Sequence, residues 1–327
     1  MSVRSSPTRP AGDAVGSRAR PDESRPGRRR LRIAQKHREW IAGGLFVLPD
    51  AVGLLLFLVL PMLVALVLGF FSVGAFGGYE FVGFENYARM LSDPLFVNSL
   101  WVTFIYVIGF VTGTFVTSLG LALLVQRQIP FVGVFRSMFF LPHVVSLVVI
   151  GIVWQFMLTD AVGVVNQLLQ AVGLHGYSWL GNPDLALMTV IGISVWFFMG
   201  YYMLIFLAAL QDIPRDYHDS ARVDGAGAFQ VFRHVTWPML KPTSFFVLMM
   251  SLVTGIAGLQ AFDLIYVMTK GGPANATTLS IYYIYNQAFQ FGNYGYAAAM
   301  ASMLVLVTMV LTGLVFAVTR GGRFDVS

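Results

Sequence analysis

The sequence contains no cysteine and little charge: Asp, Glu, Lys and Arg together make up 11% of its 327 residues. The absence of cysteine excludes disulfides, thiol catalysis and lipid attachment through cysteine. No lysine follows a glycine, so the Gly-Lys pair of a Walker A phosphate loop does not occur. Zinc-ligand spacings, nucleophile elbows and paired carboxylates are also missing. The sequence therefore predicts a chain without catalytic residues, metal or cofactor, which does not hydrolyse nucleotide by itself.

Apolar residues are abundant instead: they form 57% of the chain, and the mean hydropathy of +0.71 is above that of a typical soluble domain. A membrane-spanning helix needs about 20 mostly apolar residues. A membrane β-barrel would show alternating segments of about 10 residues, which are not seen here. An all-α, polytopic bundle of six transmembrane helices is therefore predicted, with spans at about 41–71, 97–125, 137–159, 185–210, 243–262 and 294–319.

The positions of lysine and arginine predict the orientation, since these residues remain on the cytoplasmic side of a membrane. With both termini cytoplasmic, 19 of the 21 Lys and Arg residues lie inside, and Arg89 and Lys270 lie outside. The net charge of +5 is thus explained by topology, and no nucleic-acid partner is predicted. A multi-pass membrane protein with both termini in the cytoplasm is expected.

The termini differ from the apolar middle. Residues 1–38 are rich in Arg, Pro, Ser and Gly and are predicted to form a disordered, basic cytoplasmic tail. Their cluster at 25–32, RPGRRRLR, has two interpretations: a charge cluster that sets topology, or a contact with anionic lipid headgroups. Residues 39–320 form the predicted transmembrane domain, and residues 321–327 form a second cytoplasmic tail.

Three predicted outward loops, at 72–96, 160–184 and 263–293, are too short to hold a folded domain. Apolar residues in the second of them recur at helical spacing. This spacing predicts a short helix that lies on the membrane surface. The apolar residues are Val164, Val165, Leu168, Leu169 and Val172.

The largest inward loop, residues 211–242, is polar and predicts two short helices joined by a turn. Pro214 fits the first helical turn, and the helix can continue to about Val223 or Asp224. Gly225 then provides the residue at which a positive φ is easy. A compact helix–turn–helix is expected.

The second helix of this loop is predicted from Ala226 to about Val235. It places Phe229 and Phe232 on one face. Pro238 is expected to end it before the fifth span, because proline lacks the N–H of the helical ladder.

Two functions are open for the 211–242 loop from its residues alone. It is either an amphipathic segment on the inner leaflet or a docking surface for another protein. Its polar residues are not sorted to one face, and small residues at its apex allow a close approach of another surface. These are Ala221, Gly225, Ala226, Gly227 and Ala228.

The loop resembles the EAA loop of binding-protein-dependent ABC importers. That pattern is Glu-Ala-Ala, two residues, Asp-Gly-Ala, then Phe and Pro at fixed offsets. Six of the eight defining positions match here, while Asp219 replaces Glu and Ser220 replaces Ala. The resemblance implies ATPase coupling through Asp219, Ser220, Ala221, Asp224, Gly225, Ala226, Phe232 and Pro238.

Other segments are similar to the carbohydrate-uptake branch of these permeases, that is, to the first maltose and glycerol-3-phosphate permease subunits. They are Phe84-Glu85-Asn86-Tyr87, Ser92-Asp93-Pro94, residues 163–169, Phe262-Asp263, Tyr266 and Thr269-Lys270-Gly271-Gly272-Pro273. The likeness covers roughly residues 40–320. It implies that the chain forms half of a translocation pathway for a sugar or sugar derivative, which works by alternating access.

The same resemblance implies the partners. They are a second homologous permease, two copies of a cytoplasmic ABC ATPase that binds ATP and Mg, and an extracytoplasmic substrate-binding protein. Membrane lipid surrounds the spans.

Polar residues near the outer end of the fifth span are the candidates for the substrate pathway, because polar groups inside a membrane are costly. Gln260 and Asp263 lie there beside Phe262 and Tyr266. Hydrogen-bonding groups next to aromatic rings suit a sugar.

Three alternatives remain at this stage. One is an ABC permease for a non-sugar solute, such as a polyol or a phosphodiester. Another is a proton-coupled secondary carrier with a relay of Asp50, His143 and Asp263, although His143 is expected to be structural. A channel is least favoured, because no ring of repeated polar residues is visible.

Overall fold

A computed structural model describes residues 43–74, 77–126, 131–160 and 162–318. The two predicted tails, 1–38 and 321–327, lie outside the described residues. The chain divides into two compact units, of which the first ends at Pro61 and the second begins at Met62.

The described part of the first unit, residues 43–61, is helical. It forms the first part of helix α1, which is Gly43–Leu68. Its helix widens into one π turn at Leu55–Val59. None of the residues in the most apolar window of α1 is buried within the chain.

The second unit holds a hairpin and eleven further described helices. The hairpin pairs β1 (Phe71–Val73) with β2 (Tyr79–Phe81) in antiparallel register, Phe71 opposite Phe81. The helices are α2 (Glu85–Ser92), α3 (Pro94–Val125), α4 (Val132–Val144), α5 (Leu147–Met157), α6 (Val164–Ala171), α7 (Pro183–Gln211), α8 (Arg215–Val223), α9 (Ala228–Ala257), α10 (Leu259–Met268), α11 (Ser280–Tyr285) and α12 (Tyr294–Val318).

The fold class is confirmed as an all-α polytopic bundle, with the small hairpin as its one described sheet. Among the described residues, five helices are long and apolar enough to cross a membrane, namely α1, α3, α7, α9 and α12. The pair α4 and α5 can supply a sixth span, but it is bent by 99°.

The third predicted span, 137–159, is therefore not one straight helix. The backbone of Val145 and Ser146 is extended between α4 and α5. Pro142 lies in the last turn of α4 and removes an N–H from its ladder.

The short helix predicted in the 160–184 loop is present as α6, and its position at the membrane surface stays a prediction. Val164 and Leu168 are exposed on it. Asn166 is buried and fixes the loop, because its amide oxygen accepts hydrogen bonds from the Tyr177 N–H (3.1 Å) and the Trp179 ring N–H (2.9 Å).

The core lies where α3 crosses α7. The Tyr106 hydroxyl donates to Ser194 Oγ over 3.0 Å, and Ser118 Oγ donates to the Met199 carbonyl over 3.0 Å. Each bond joins the two helices and satisfies a polar group among apolar side chains, as in other helix pairs in membranes.

Helix α4 approaches α7 at Gly200, where no side chain fits. A Cβ atom added at Gly200 would collide with the carbonyl group of Phe139 and lie 2.9 Å from the Phe140 nitrogen. The atoms in contact belong to the backbones of both helices. A change of side-chain rotamer therefore cannot make room for a larger residue at this position.

We predict that Gly200→Ala destabilises the bundle by about 1–3 kcal/mol, the usual range for overpacking. Gly192→Ala is the matched control, because it lies on the same helix with nothing within 4 Å of an added Cβ. The apparent melting temperature of the purified chain in detergent should fall for Gly200→Ala and not for Gly192→Ala. Equal melting temperatures for the two variants would contradict the close approach.

Candidate functional site

The turn of the 211–242 loop is built as the sequence predicts. Helix α8 ends at Val223, and Gly225 has a φ of +81°. The Gly225 N–H donates to the Arg222 carbonyl over 3.0 Å, and the Ala226 N–H donates to the Ala221 carbonyl over 2.9 Å. These two bonds define a Schellman motif, in which a glycine in the left-handed region closes the helix.

Contacts between the two helices hold this loop in one arrangement. His218 Nε2 lies 3.3 Å from Thr236 Oγ1, which joins α8 to α9. The Gln230 side chain accepts a hydrogen bond from the Gly227 N–H over 2.8 Å at the start of α9. Ile213, just before α8, is buried.

The predicted end of the second helix at Pro238 is wrong, since α9 continues to Ala257 without a break. A π turn at Phe232–Thr236 precedes the proline, and the Trp237 N–H donates to the Phe232 carbonyl five residues earlier. The wider turn changes the hydrogen-bond register just where proline lacks an N–H. The second helix of the loop and the fifth span up to Ala257 are consequently one helix.

The eight predicted coupling residues divide into two groups. Six lie at the turn, where Asp219, Ser220, Asp224 and Gly225 are exposed and Ala221 and Ala226 are half-buried. Phe232 and Pro238 are half-buried in α9, behind the turn. The Phe232 ring lies 6.3 Å from the Trp237 ring, so these two residues shape the helix rather than its tip.

Large apolar side chains are exposed at the turn. Val223 is 86% exposed and Phe229 is 72% exposed, and Tyr217 is also exposed. Sequence reasoning placed Phe229 on a helical face but did not single out Tyr217 or Val223. The sequence feature that could have identified them is the presence of large apolar residues within a polar stretch. Exposed apolar residues of this kind are typical of a surface that another protein covers.

The second candidate region begins where α9 ends. Gly258 has a φ of +62° and separates α9 from α10. One side of α10 is buried, at Ala261, Leu264, Ile265 and Met268. At about 100° per residue, Asp263 and Tyr266 lie on the opposite side and Gln260 lies on the flank. Gln260 and Tyr266 are exposed and Asp263 is half-buried, so three of the four predicted pathway residues lie on the part of α10 that the buried side leaves free, which is its free face.

An aromatic cluster borders this face. The Phe262 ring stacks on Tyr266 at 5.5 Å, and Tyr285 of α11 lies 5.0 Å from Phe262 and 5.7 Å from Tyr266. Phe289 lies 5.2 Å from Tyr285 and is 71% exposed. Sequence reasoning missed Tyr285 and Phe289, because no local pattern connects them with α10.

Asp93 joins three elements at the start of α3. One carboxylate oxygen accepts from the Leu95 N–H (2.9 Å) and the Phe96 N–H (3.4 Å). The other accepts from the hydroxyls of Tyr283 on α11 (2.7 Å) and Tyr296 on α12 (2.8 Å). The carboxylate therefore caps one helix and binds two others.

These contacts change the acidity of the groups involved. Burial by itself raises the pKa of Asp93, but the hydrogen bonds from Tyr283, Tyr296 and the two backbone amides outweigh it and lower the pKa below its ordinary value of 3.8. Burial, followed by the bond to the negative Asp93, raises the pKa of Tyr283 to about 12. Asp93 is thus charged and Tyr283 is neutral at neutral pH.

We predict a pH-dependent stability from Asp93. Because its folded pKa lies below its unfolded value, its stabilising effect is complete above about pH 4 and is lost as the pH falls through the folded pKa. Asp93→Asn should lower the apparent melting temperature at pH 7, and the difference from wild type should shrink near pH 3.

Asp184→Asn is the control for this prediction, since Asp184 is an exposed carboxylate in the first turn of α7. Its melting temperature should follow wild type at both pH values. A wild-type to Asp93→Asn difference that stays constant between the two pH values would contradict the prediction.

His143 lies at the bend between α4 and α5, in an aromatic environment. Its ring is 4.8 Å from Tyr201 and about as close to Phe197 (5.0 Å) and Phe198 (5.2 Å). Its ring contacts are aromatic side chains and not carboxylates. Among the described residues, no group of three or more His, Cys, Asp or Glu side chains is placed to hold a metal ion.

Long apolar helices, a bent span and a compact polar loop define a membrane transport component. Residues 130–323 match the family model of the binding-protein-dependent transport system inner membrane component. The chain belongs to this family.

Relatives and solved structures agree with this family. The chain is 36% identical over 286 residues to the lactose transport system permease protein LacF of Rhizobium radiobacter, covering 86% of this chain and 94% of the relative. It is 33% identical over 279 residues to the sn-glycerol-3-phosphate transport system permease protein UgpA of Agrobacterium fabrum, covering 83% and 92%.

A crystal structure of a bacterial alginate ABC transporter, in complex with an alginate pentasaccharide-bound periplasmic protein, contains a chain with the same fold. The TM-score is 0.77 at 23% identity, over 88% of this chain and 96% of that chain. The family is a transport permease rather than an ATPase, and membership in it does not support the proton-coupled relay.

Proposed function

We propose that this chain is a permease subunit of an ATP-driven importer and carries a sugar or sugar derivative. Family membership supports transport. The names of relatives such as the lactose permease support a sugar. The observation that carries the proposal is the free face of α10, where hydrogen-bonding side chains lie beside aromatic rings.

The Gly225 turn is the proposed docking site for a cytoplasmic ATPase. The distribution of Lys and Arg along the sequence predicts a cytoplasmic position for this loop and for both termini. Val223 and Phe229 are exposed there, and apolar side chains of this size fit a groove on a partner. ATP and Mg would bind to two copies of that ATPase, while this chain binds no cofactor.

Helix α9 is the proposed connection between docking and transport. It begins at Ala228, beside the turn, and ends at Ala257, beside the broken helix that carries Gln260 and Asp263. A movement of the turn would therefore reach the pathway through one helix. In this account, a second homologous permease supplies the other half of the pathway, and an extracytoplasmic binding protein delivers the substrate.

A second candidate is a non-sugar solute, such as a phosphorylated polyol. The relative named for sn-glycerol-3-phosphate, which is 33% identical to this chain, supports this candidate. The same coupling mechanism would apply to either solute.

We predict that Gly225→Asp leaves membrane insertion intact and abolishes substrate-dependent ATP hydrolysis in the assembled transporter. A side chain at φ +81° strains the turn and adds charge at its apex. ATP hydrolysis in proteoliposomes, with and without substrate-loaded binding protein, measures the coupling.

Gly173→Asp is the matched control. Gly173 has a φ of +83°, closes α6 with the same pair of hydrogen bonds, and has nothing within 4 Å of an added Cβ. It should strain the backbone equally without uncoupling the transporter. Normal coupled hydrolysis by the assembled Gly225→Asp complex would refute the docking role.

The substrate pathway is tested by uptake into cells of the native strain, using labelled lactose, xylose, arabinose and glycerol 3-phosphate. Deletion of the chain should abolish uptake of at least one of them. Gln260→Ala and Asp263→Asn should raise the KM for that compound by roughly tenfold, the effect of losing about 1.4 kcal/mol of binding. Asp184→Asn should leave the KM unchanged, and an unaltered KM in both pathway variants would contradict the assignment.

A further inference from the structure

Helix α11 is short, lies outside the candidate spans, and is attached to α3 at two places. At its first residue, the Ser280 N–H donates to Thr103 Oγ1 over 2.9 Å, and the two hydroxyls lie 3.1 Å apart. One turn later, the Tyr283 hydroxyl donates to Asp93 over 2.7 Å. Both attachments pair residues far apart in sequence, so they fix where α11 sits in the fold.

A series of side-chain hydrogen bonds continues from Tyr283 to Gln287 and Asn293. Gln287 Nε2 donates to the Tyr283 hydroxyl over 2.9 Å, and Asn293 Nδ2 donates to Gln287 Oε1 over 2.9 Å. Gln287 belongs to the π turn at Asn286–Gln290 that follows α11. The chain of hydrogen bonds therefore holds this turn as well as the helix.

The last element of the cluster is α12. Its Tyr296 hydroxyl donates to the same Asp93 oxygen as Tyr283 does, over 2.8 Å. The Arg89 guanidinium carbon lies 4.3 Å from the centre of the Tyr296 ring, a cation–π contact. Asp93 is the one group in this cluster that touches α3, α11 and α12 together.

Tyr283 and Tyr285 lie two residues apart on α11, and at about 100° per residue they point to nearly opposite sides of the helix. Tyr283 contacts Asp93, whereas Tyr285 packs on Phe262 and Tyr266. Fixing one side of α11 thus sets the position of the aromatic rings on its other side.

We propose that Asp93 is a positioning residue for the substrate pathway: it holds α11 so that Tyr285 completes the aromatic border of the Gln260–Asp263 face. This inference rests on the proposed function of that face. Asp93 does not touch the substrate; it acts through Tyr283.

A carboxylate is needed at position 93 because its two oxygens accept four hydrogen bonds. Asparagine keeps one oxygen and replaces the other with an N–H donor. An Asp93→Asn variant can therefore keep the helix cap at Leu95 and Phe96 while losing the acceptor for the two tyrosines.

The first test measures the position of α11 directly. The chain has no cysteine, so Val97→Cys and Gln290→Cys, both at exposed positions, are its only two sites for spin labels, and they are labelled before assembly with the other subunits. In the assembled transporter we expect one narrow distance for the otherwise wild-type chain and for Asp184→Asn. Asp93→Asn and Tyr283→Phe should broaden or shift that distance.

The second test is the KM for the panel compound that wild type takes up fastest. Loss of charge-assisted hydrogen bonds should raise the KM of Asp93→Asn by roughly three- to tenfold, with a smaller rise for Tyr283→Phe. Combining Asp93→Asn with Tyr285→Leu should raise the KM by less than the product of the single effects, because both changes act on the same border.

Three outcomes overturn the proposal: an unchanged label distance, an unchanged KM, or a loss of chain abundance and maximal rate at constant KM, which indicates a purely structural role. Should Asp93→Asn fail to fold, Tyr283→Phe removes a single hydroxyl and is judged by the same criteria. Absence of uptake of every panel compound by wild type counts against the proposed function instead, and the label distance then decides alone on Asp93.

Discussion

The backbone bond from the Trp237 N–H to the Phe232 carbonyl keeps the second half of the 211–242 loop and the fifth span in one helix. Without this π turn, Pro238 would interrupt the ladder next to the membrane, and the loop would be a separate segment. With it, α9 is continuous from Ala228 to Ala257. The proposed ATP-driven transport depends on this continuity. If α9 were divided into two helices by a flexible link, a movement at the Gly225 turn would not be transmitted to α10.

Two glycines with positive φ lie on either side of this continuous helix. Gly225 closes α8 just before α9 begins, and Gly258 separates α9 from α10. One helix ends and the next begins at each of these glycines, and the chain is helical from Ala228 to Ala257 between them. Exposed apolar residues gather at the first glycine, and polar and aromatic residues gather after the second. The proposed coupling and pathway residues therefore lie at opposite ends of one helix, and α11, which contacts Asp93, borders the second end.

The sequence predicted the parts of this arrangement that depend on local chemistry. Hydropathy located the apolar helices, and the glycine at 225 located the end of α8. The predicted fifth span, 243–262, is wrong at its end, because it runs across the break at Gly258 between α9 and α10. The passage of α9 through Pro238 could not be predicted, because a π turn depends on the packing of Trp237 and Thr236 against other helices. The Asp93 cluster joins residues 190 and 203 positions apart. No periodicity or motif reports such a pairing.

The most direct test of this account is a distance within α9 in the assembled transporter. Spin labels on Arg233→Cys and Val253→Cys, both exposed in the described chain, span 20 residues across Pro238 and should lie about 30 Å apart in an unbroken helix. The account predicts one narrow distance near this value, the same with and without ATP. A broad distribution, or a distance that changes with nucleotide, would show a joint in α9 and contradict transmission through a single helix.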